Sequence, residues 1–235
     1  KARTALQEHV WEAALYGISQ GGQAQVHVTV SEEHQSGIEE HLLTTFAEIE
    51  KQVEVTFSLE TSLQQPQTDT LAVDLDNQPF RLESGALLFR PGGHVALLEN
   101  LNQLEADWAF IKNVDNVVPD SKVMPTVHWK KVMGGMLAQT QEKVFSILRK
   151  LDELAPSEWE THEPSWRAFV QEELYVGLPE AYESWGTEER IGFLRSRLDR
   201  PIRVLGCIRT EENTGGGPYW VQADDGSLSL QVVET

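Results

Sequence analysis

The chain has 235 residues, and its 19 Lys and Arg against 37 Asp and Glu give a formal charge of −18 at pH 7. A charge of that sign repels a phosphate backbone, which argues against nucleic acid as a partner. Cys207 is the single cysteine, so an intrachain disulfide and a cysteine-rich metal site are excluded. No segment approaches the run of about eighteen apolar residues that a membrane span needs, and the expectation is a soluble, cytoplasmic protein with no membrane partner.

In chain order, residues 2–16 place Leu6, Val10, Ala13 and Leu15 near one helical face. The pattern begins at once, without an initiator Met, as expected of a fragment of something longer. Residues 24–31 alternate Val26, Val28 and Val30 to one side, as a strand does. Ser31 then suits an N-cap for a helix reaching about residue 51, with Ile38, Leu42, Phe46 and Ile49 as its buried stripe. "VEVTFSL" alternates again, "ETSLQQPQTD" reads as a loop, and "TLAVDL" reads as a short strand closed by the turn "DNQPF". "GALLFR" and "ADWAFIKNV" are apolar runs without alternation, the pattern of strands buried on both faces, with helical spacing over 94–104 between them.

From 121 to 200 the pattern turns helical. A long amphipathic helix presents Val132, Met136, Val144, Phe145, Leu148 and Leu151, weakened by Gly134 and Gly135, and shorter helices follow. Their tryptophans, Trp159, Trp166 and Trp185, suit either a small helical core or a partner surface. "PIRVLGCIR" returns to strand with Cys207 in its core, and Asp225-Gly226 between alternating segments marks a β-hairpin. The alternation of elements predicts an α/β fold: a mostly parallel sheet flanked by helices, with core segments 1–120 and 201–235 around a helical insertion at 121–200.

Three loops could carry chemistry. Arg90-Pro91-Gly92-Gly93-His94 joins a predicted strand to a predicted helix, where glycines let an anion or a flat base approach and Arg90 can pair with phosphate. The same residues also suit a plain tight turn. Asp115 and Asn116 would lie at the carboxyl end of a predicted strand, where open α/β sheets keep their ligands. There Asp115 could hold Mg²⁺ and Asn116 a sugar hydroxyl, or both could simply close a turn. Gly215, Gly216 and Gly217 form a permissive loop beside Tyr219 and Trp220. His34 and His41 share a helix face but have no third ligand, and read as surface residues.

The blocks "VHVTVSEEH", "TDTLAVDLDNQPFRLESGALLFRPGGHVALLENLN", "FIKNVDNVVPD", "RPIRVLGCIR" and "GGGPYWV" occur in an order that resembles the bacterial family catalogued as domain of unknown function 4301. Val95 stands where that family usually has glycine. The family is in turn similar to nucleotide-sugar pyrophosphorylases that use a uridine nucleotide, through Gly92-Gly93 before a helix and Val114-Asp115-Asn116 after a strand. That resemblance implies a Rossmann-like nucleotidyltransferase fold and a central fragment of an enzyme that joins a nucleoside triphosphate, possibly UTP, to a sugar phosphate. It also implies Mg²⁺ at Asp115, the base or sugar against Gly92 and Gly93, and the late glycine loop bordering the sugar. The alternatives are a non-catalytic nucleotide- or sugar-binding protein and a scaffold using its helical insertion.

Overall fold

Thr4 starts the first helix with a reciprocal cap: its hydroxyl accepts the Gln7 backbone N–H, and the Gln7 side chain accepts the Thr4 N–H at 2.9 Å. In the computed structural model, which describes residues 3–153, 155, 158–209 and 216–233, this helix, α1, spans Ala5–Tyr16. Strand β1 (Gln23–Val30), helix α2 (Gln35–Ile49) and strand β2 (Thr56–Leu63) follow. The two strands pair in parallel over their full length, Gln23 with Thr56 through Val30 with Leu63. The chain divides into two compact units, Lys1–His128 and Trp129–Thr235.

Alternation decides how the first unit packs. Ala24, Val26 and Val28 of β1 and Phe57 and Leu59 of β2 meet Val10, Ala14, Leu42, Phe46 and Ile49 of the two helices. The opposite face of the strands is polar, with Gln25 donating to Glu60 at 3.0 Å and Thr29 bonded to Ser62 at 3.2 Å. Strand residues at successive positions point to opposite faces, so a single apolar set serves one layer of helices.

Beyond β2 the expected parallel sheet does not continue. Strand β3 (Thr70–Leu71) pairs antiparallel with β4 (Phe89–Arg90). Between them three backbone hydrogen bonds close on themselves. The Ala72 N–H donates to Leu88, Leu88 to Phe80 and Phe80 to Ala72, at 2.9, 3.0 and 2.8 Å. The intervening turns place Asn77 (φ 61°) and Gly85 (φ 84°) in the left-handed region, which asparagine and glycine tolerate best.

The segment expected to be a strand over 106–114 is not one. It runs along α1, held by side chains: Phe110 edge-on to Tyr16 at 5.0 Å, Lys112 to Glu12 at 2.6 Å, and His9 Nε2 to the Val114 carbonyl at 3.0 Å. Arg3 pairs with Asp120 further on. Glu12 is 1% exposed and also accepts the Tyr16 hydroxyl at 2.8 Å. Lys112 therefore neutralises a carboxylate that could not otherwise be buried.

Helix α3 (Leu98–Asn102) is short, and α4 (Val123–Glu153) runs from the first unit into the second. In the second unit Val144, Ile147 and Leu151 of α4 pack with α5 (Trp159–Glu172) and α6 (Thr187–Leu198). Val132, Met136 and Phe145, expected in the buried stripe, are exposed: Phe145 lies on a different face from Val144, whereas Met136 shares the face of Ile147 but lies about three turns before it, and the buried cluster takes only Val144, Ile147 and Leu151 from this helix. Trp159 and Trp166 are core residues, and Trp185 is partly buried against Tyr182 and Phe193 of the same cluster. Tyr182 donates to the buried Glu163 at 3.0 Å. Strands β5 (Val176–Gly177), β6 (Gly217–Gln222) and β7 (Leu228–Val233) form an antiparallel sheet in the order β5-β7-β6, and the hairpin expected at Asp225-Gly226 joins β6 to β7.

The fold is thus a mixed α/β arrangement with three small sheets, two of them antiparallel. The mostly parallel, Rossmann-like, nucleotidyltransferase-type sheet expected from sequence is not formed, and the transferase and nucleotide-sugar labels that followed from it lose their structural basis. Residues 201–209, also expected to be a strand, have no strand partner among the described residues, and Cys207 is exposed. No helix among the described residues is long and apolar enough to cross a membrane.

Removal of Lys112 should be costly. Lys112→Met leaves the buried Glu12 carboxylate without its cation and is expected to destabilise the first unit by about 3–5 kcal/mol, measured by denaturant unfolding. A smaller loss in the double variant Lys112→Met, Glu12→Leu would identify the unpaired charge as the cause.

Two phenols give a second expectation. Burial, followed by the hydrogen bond to a carboxylate, pushes Tyr16 (against Glu12) and Tyr182 (against Glu163) well above the usual tyrosine range. Both folded-state values are raised, so their contribution is fully present below about pH 10, the unfolded value, and is lost as pH rises further. Stability should fall above that point in the natural chain and fall less steeply in Tyr16→Phe or Tyr182→Phe, measured by thermal unfolding across alkaline pH.

Candidate functional site

Pro91, which fixes its own φ, leads the chain from β4 into Gly92 and Gly93. Gly92 lies so close to the segment after β2 that a Cβ there would sit 2.7 Å from the Thr68 carbonyl oxygen and 2.9 Å from the Ala96 Cβ. Only glycine permits that approach without a shift of backbone. At Gly93 a Cβ would meet nothing within 4 Å. The next residues, His94–Leu97, make a 3₁₀ turn, and α3 follows with five residues. The long helix expected to present its N-terminus here is therefore absent.

Thr68, Thr70, Gly92, Gly93 and Ala96 line a cavity of about 320 Å³. Its Thr68–Thr70 wall follows β2, where Pro66–Thr68 forms a 3₁₀ turn and the Thr68 hydroxyl donates to the Gln65 carbonyl at 2.6 Å. The Thr70 hydroxyl reaches the Arg90 carbonyl at 3.4 Å, and Thr70 and Arg90 are register partners across β3 and β4. Arg90 is exposed beside this wall, a cation in a chain of net charge −18.

At the carboxyl end of β2, Asn100 of α3 donates to Ser62 Oγ and to the Leu63 carbonyl, both at 2.8 Å. Nearby in sequence, Thr61 and Gln35 donate to Glu39, and these bonds hold its carboxyl below the usual carboxylate range.

The remaining predicted residues lie elsewhere. Asp115 and Asn116 are exposed in a turn closed by Asn116 N–H to the Asn113 carbonyl at 3.1 Å and Val117 N–H to the Asp115 carbonyl at 3.0 Å. They are not among the residues that line the Gly92–Gly93 cavity. Among the described residues no group of three or more His, Cys, Asp or Glu is placed to hold a metal. Asp115 thus offers a single carboxylate, which fits Mg²⁺ only where water and a substrate phosphate complete the shell. Gly216 and Gly217 belong to the second unit, Gly216 with φ +133° and Gly217 opening β6. Gly215 and the side chain of His94 lie outside the described residues.

Thr68, Thr70, Ala96 and Asn100 were not singled out by sequence. Threonine after a proline turn carries no motif, and its role comes from the chain returning to it more than twenty residues later.

The family model for a domain of unknown function, DUF4301, matches residues 1–235. The chain belongs to this family. No curated protein and no solved structure matches it. Membership in DUF4301 brings no activity with it, so the chemistry of the chain has to come from its own geometry. For this DUF4301 protein that geometry separates the two adjacent glycines. Gly92→Ala should cost about 1–3 kcal/mol, the scale of overpacking against backbone, whereas Gly93→Ala should stay within about 0.5 kcal/mol of the natural chain. Chemical denaturation of both variants checks this, and equal losses would remove the close approach at Gly92 as the cause.

Proposed function

We propose that the first unit binds a small phosphorylated sugar in the cavity between Thr68–Thr70 and Gly92–Ala96. The observation that carries this reading is the cavity itself, open to solvent and lined by Thr68 and Thr70 on one side and by Gly92, Gly93 and Ala96 on the other, with Arg90 outside the lining as the register partner of Thr70. Its volume of about 320 Å³ lies at the low end of small-molecule sites, roughly 300–1,000 Å³. That size suits one sugar ring or a phosphate. The Thr68 and Thr70 hydroxyl protons go to the Gln65 and Arg90 carbonyls, which leaves both oxygens able to accept from sugar hydroxyls, and a guanidinium pairs with phosphate in a two-pronged geometry.

The test is calorimetric titration with a panel of sugar 1-phosphates, free sugars, inorganic phosphate and nucleoside triphosphates, with and without Mg²⁺. A sugar phosphate should bind better than either of its halves. Gly93→Leu, which fills the cavity from a position with open space, should abolish binding in a folded protein, and Arg90→Ala should weaken it about tenfold, the loss of one charge-assisted hydrogen bond. Binding unchanged in Gly93→Leu would remove the cavity from the reading. Mg²⁺-dependent pyrophosphate release from a triphosphate and a sugar phosphate, reduced about 10²-fold by Asp115→Asn, would replace binding by transfer.

A further inference from the structure

Asn100 is 2% exposed, in a helix of five residues. A buried amide is costly unless its polar atoms are bonded, and so short a helix has little stability of its own. Its Nδ2 makes two hydrogen bonds of 2.8 Å, to Ser62 Oγ and to the Leu63 carbonyl, the last two residues of β2. The Leu63 carbonyl can only accept, which sets the orientation of the amide and leaves Oδ1 without a partner among the described residues. Ser62 is also held by Thr29, so the grip reaches the carboxyl ends of both parallel strands.

Both walls of the cavity start from this point. The chain leaves β2 at Leu63 and reaches Thr68 after five residues, while Ala96, which lines the cavity and abuts Gly92, lies four residues before Asn100. We infer that Asn100 is a positioning residue: its amide fixes the spacing between the Thr68–Thr70 wall and the Gly92–Ala96 wall, and so sets affinity for the ligand of the cavity. This rests on the cavity being the ligand site proposed above. It also accounts for an amide where a carboxylate would be nearly the same size, because Asp would place a second acceptor against the Leu63 carbonyl.

The experiment compares the whole protein with Asn100→Asp, and with Ser62→Ala as a milder variant that keeps the Leu63 bond. Hydrogen exchange of segment 92–97 and the affinity for glucose 1-phosphate are both measured. In the variants, exchange over 92–97 should rise about tenfold while α1 and α2 stay protected, and affinity should fall about tenfold, the effect of one lost hydrogen bond on an equilibrium constant. Unchanged exchange over 92–97, or a rise spread evenly over the unit, overturns the assignment. So does an unchanged affinity in a variant whose 92–97 exchange has risen. If the natural protein binds no sugar phosphate while exchange over 92–97 still rises selectively, the ligand reading falls and Asn100 keeps its role in spacing the two walls.

Discussion

The first unit depends on one-sided burial of a two-stranded parallel pair. Because β1 and β2 alternate apolar and polar residues, one face is dry and the other is wet, and only one layer of helices can be packed. Parallel strands are normally covered on both faces and read as continuous apolar runs. Here the wet face is closed by side-chain hydrogen bonds between polar residues of neighbouring strands. The connections that follow must satisfy their own backbone groups locally or against α1, and the β3–β4 region and the segment along α1 are those two solutions.

That balance explains which parts of the fold were legible. α1, β1 and α2 were readable because each has a clean period, although Ser31, expected to cap α2, makes no capping bond: a 3₁₀ turn at Glu32–His34 intervenes and α2 begins at Gln35. β2 was shifted, since Glu60, Thr61 and Ser62 near its end look like loop, yet Glu60 and Ser62 belong to the wet face and Thr61 faces α2, where it bonds Gln35 and Glu39. "ADWAFIKNV" has a strand's composition, but its alternate residues Phe110, Lys112 and Val114 are engaged by Tyr16, Glu12 and His9 of a helix. Side-chain anchoring took the place of a ladder, and composition does not distinguish the two. The same ambiguity affected 201–209, where an apolar run found no strand partner among the described residues.

The candidate site was legible only on one of its walls. Gly92 and Gly93 are conspicuous in any sequence, although nothing in the dipeptide says which glycine is sterically required; the Thr68 carbonyl makes that distinction. The opposite wall is made of ordinary threonines, and the link between walls is an asparagine in "LENLN" with no motif around it. Asp115 and Asn116 attracted notice because a strand was expected before them. Without that strand they are a polar turn beyond a segment fastened to α1.

The ring joining Ala72, Phe80 and Leu88 has a consequence for how this part of the chain can drift. Its three bonds are all main-chain, and its members are spaced by eight residues, as are the left-handed positions Asn77 and Gly85. Apart from Asp74, whose carboxylate accepts the Asp76 and Gln78 N–H groups, and Arg81, which donates to the Gly85 carbonyl, side chains on the connecting turns can be exchanged so long as the residue at each left-handed position accepts that conformation. A single inserted or deleted residue, by contrast, moves a donor off its acceptor and reverses the face of every residue up to the next corner. Neutral variation in this arm should therefore appear as substitutions at constant length.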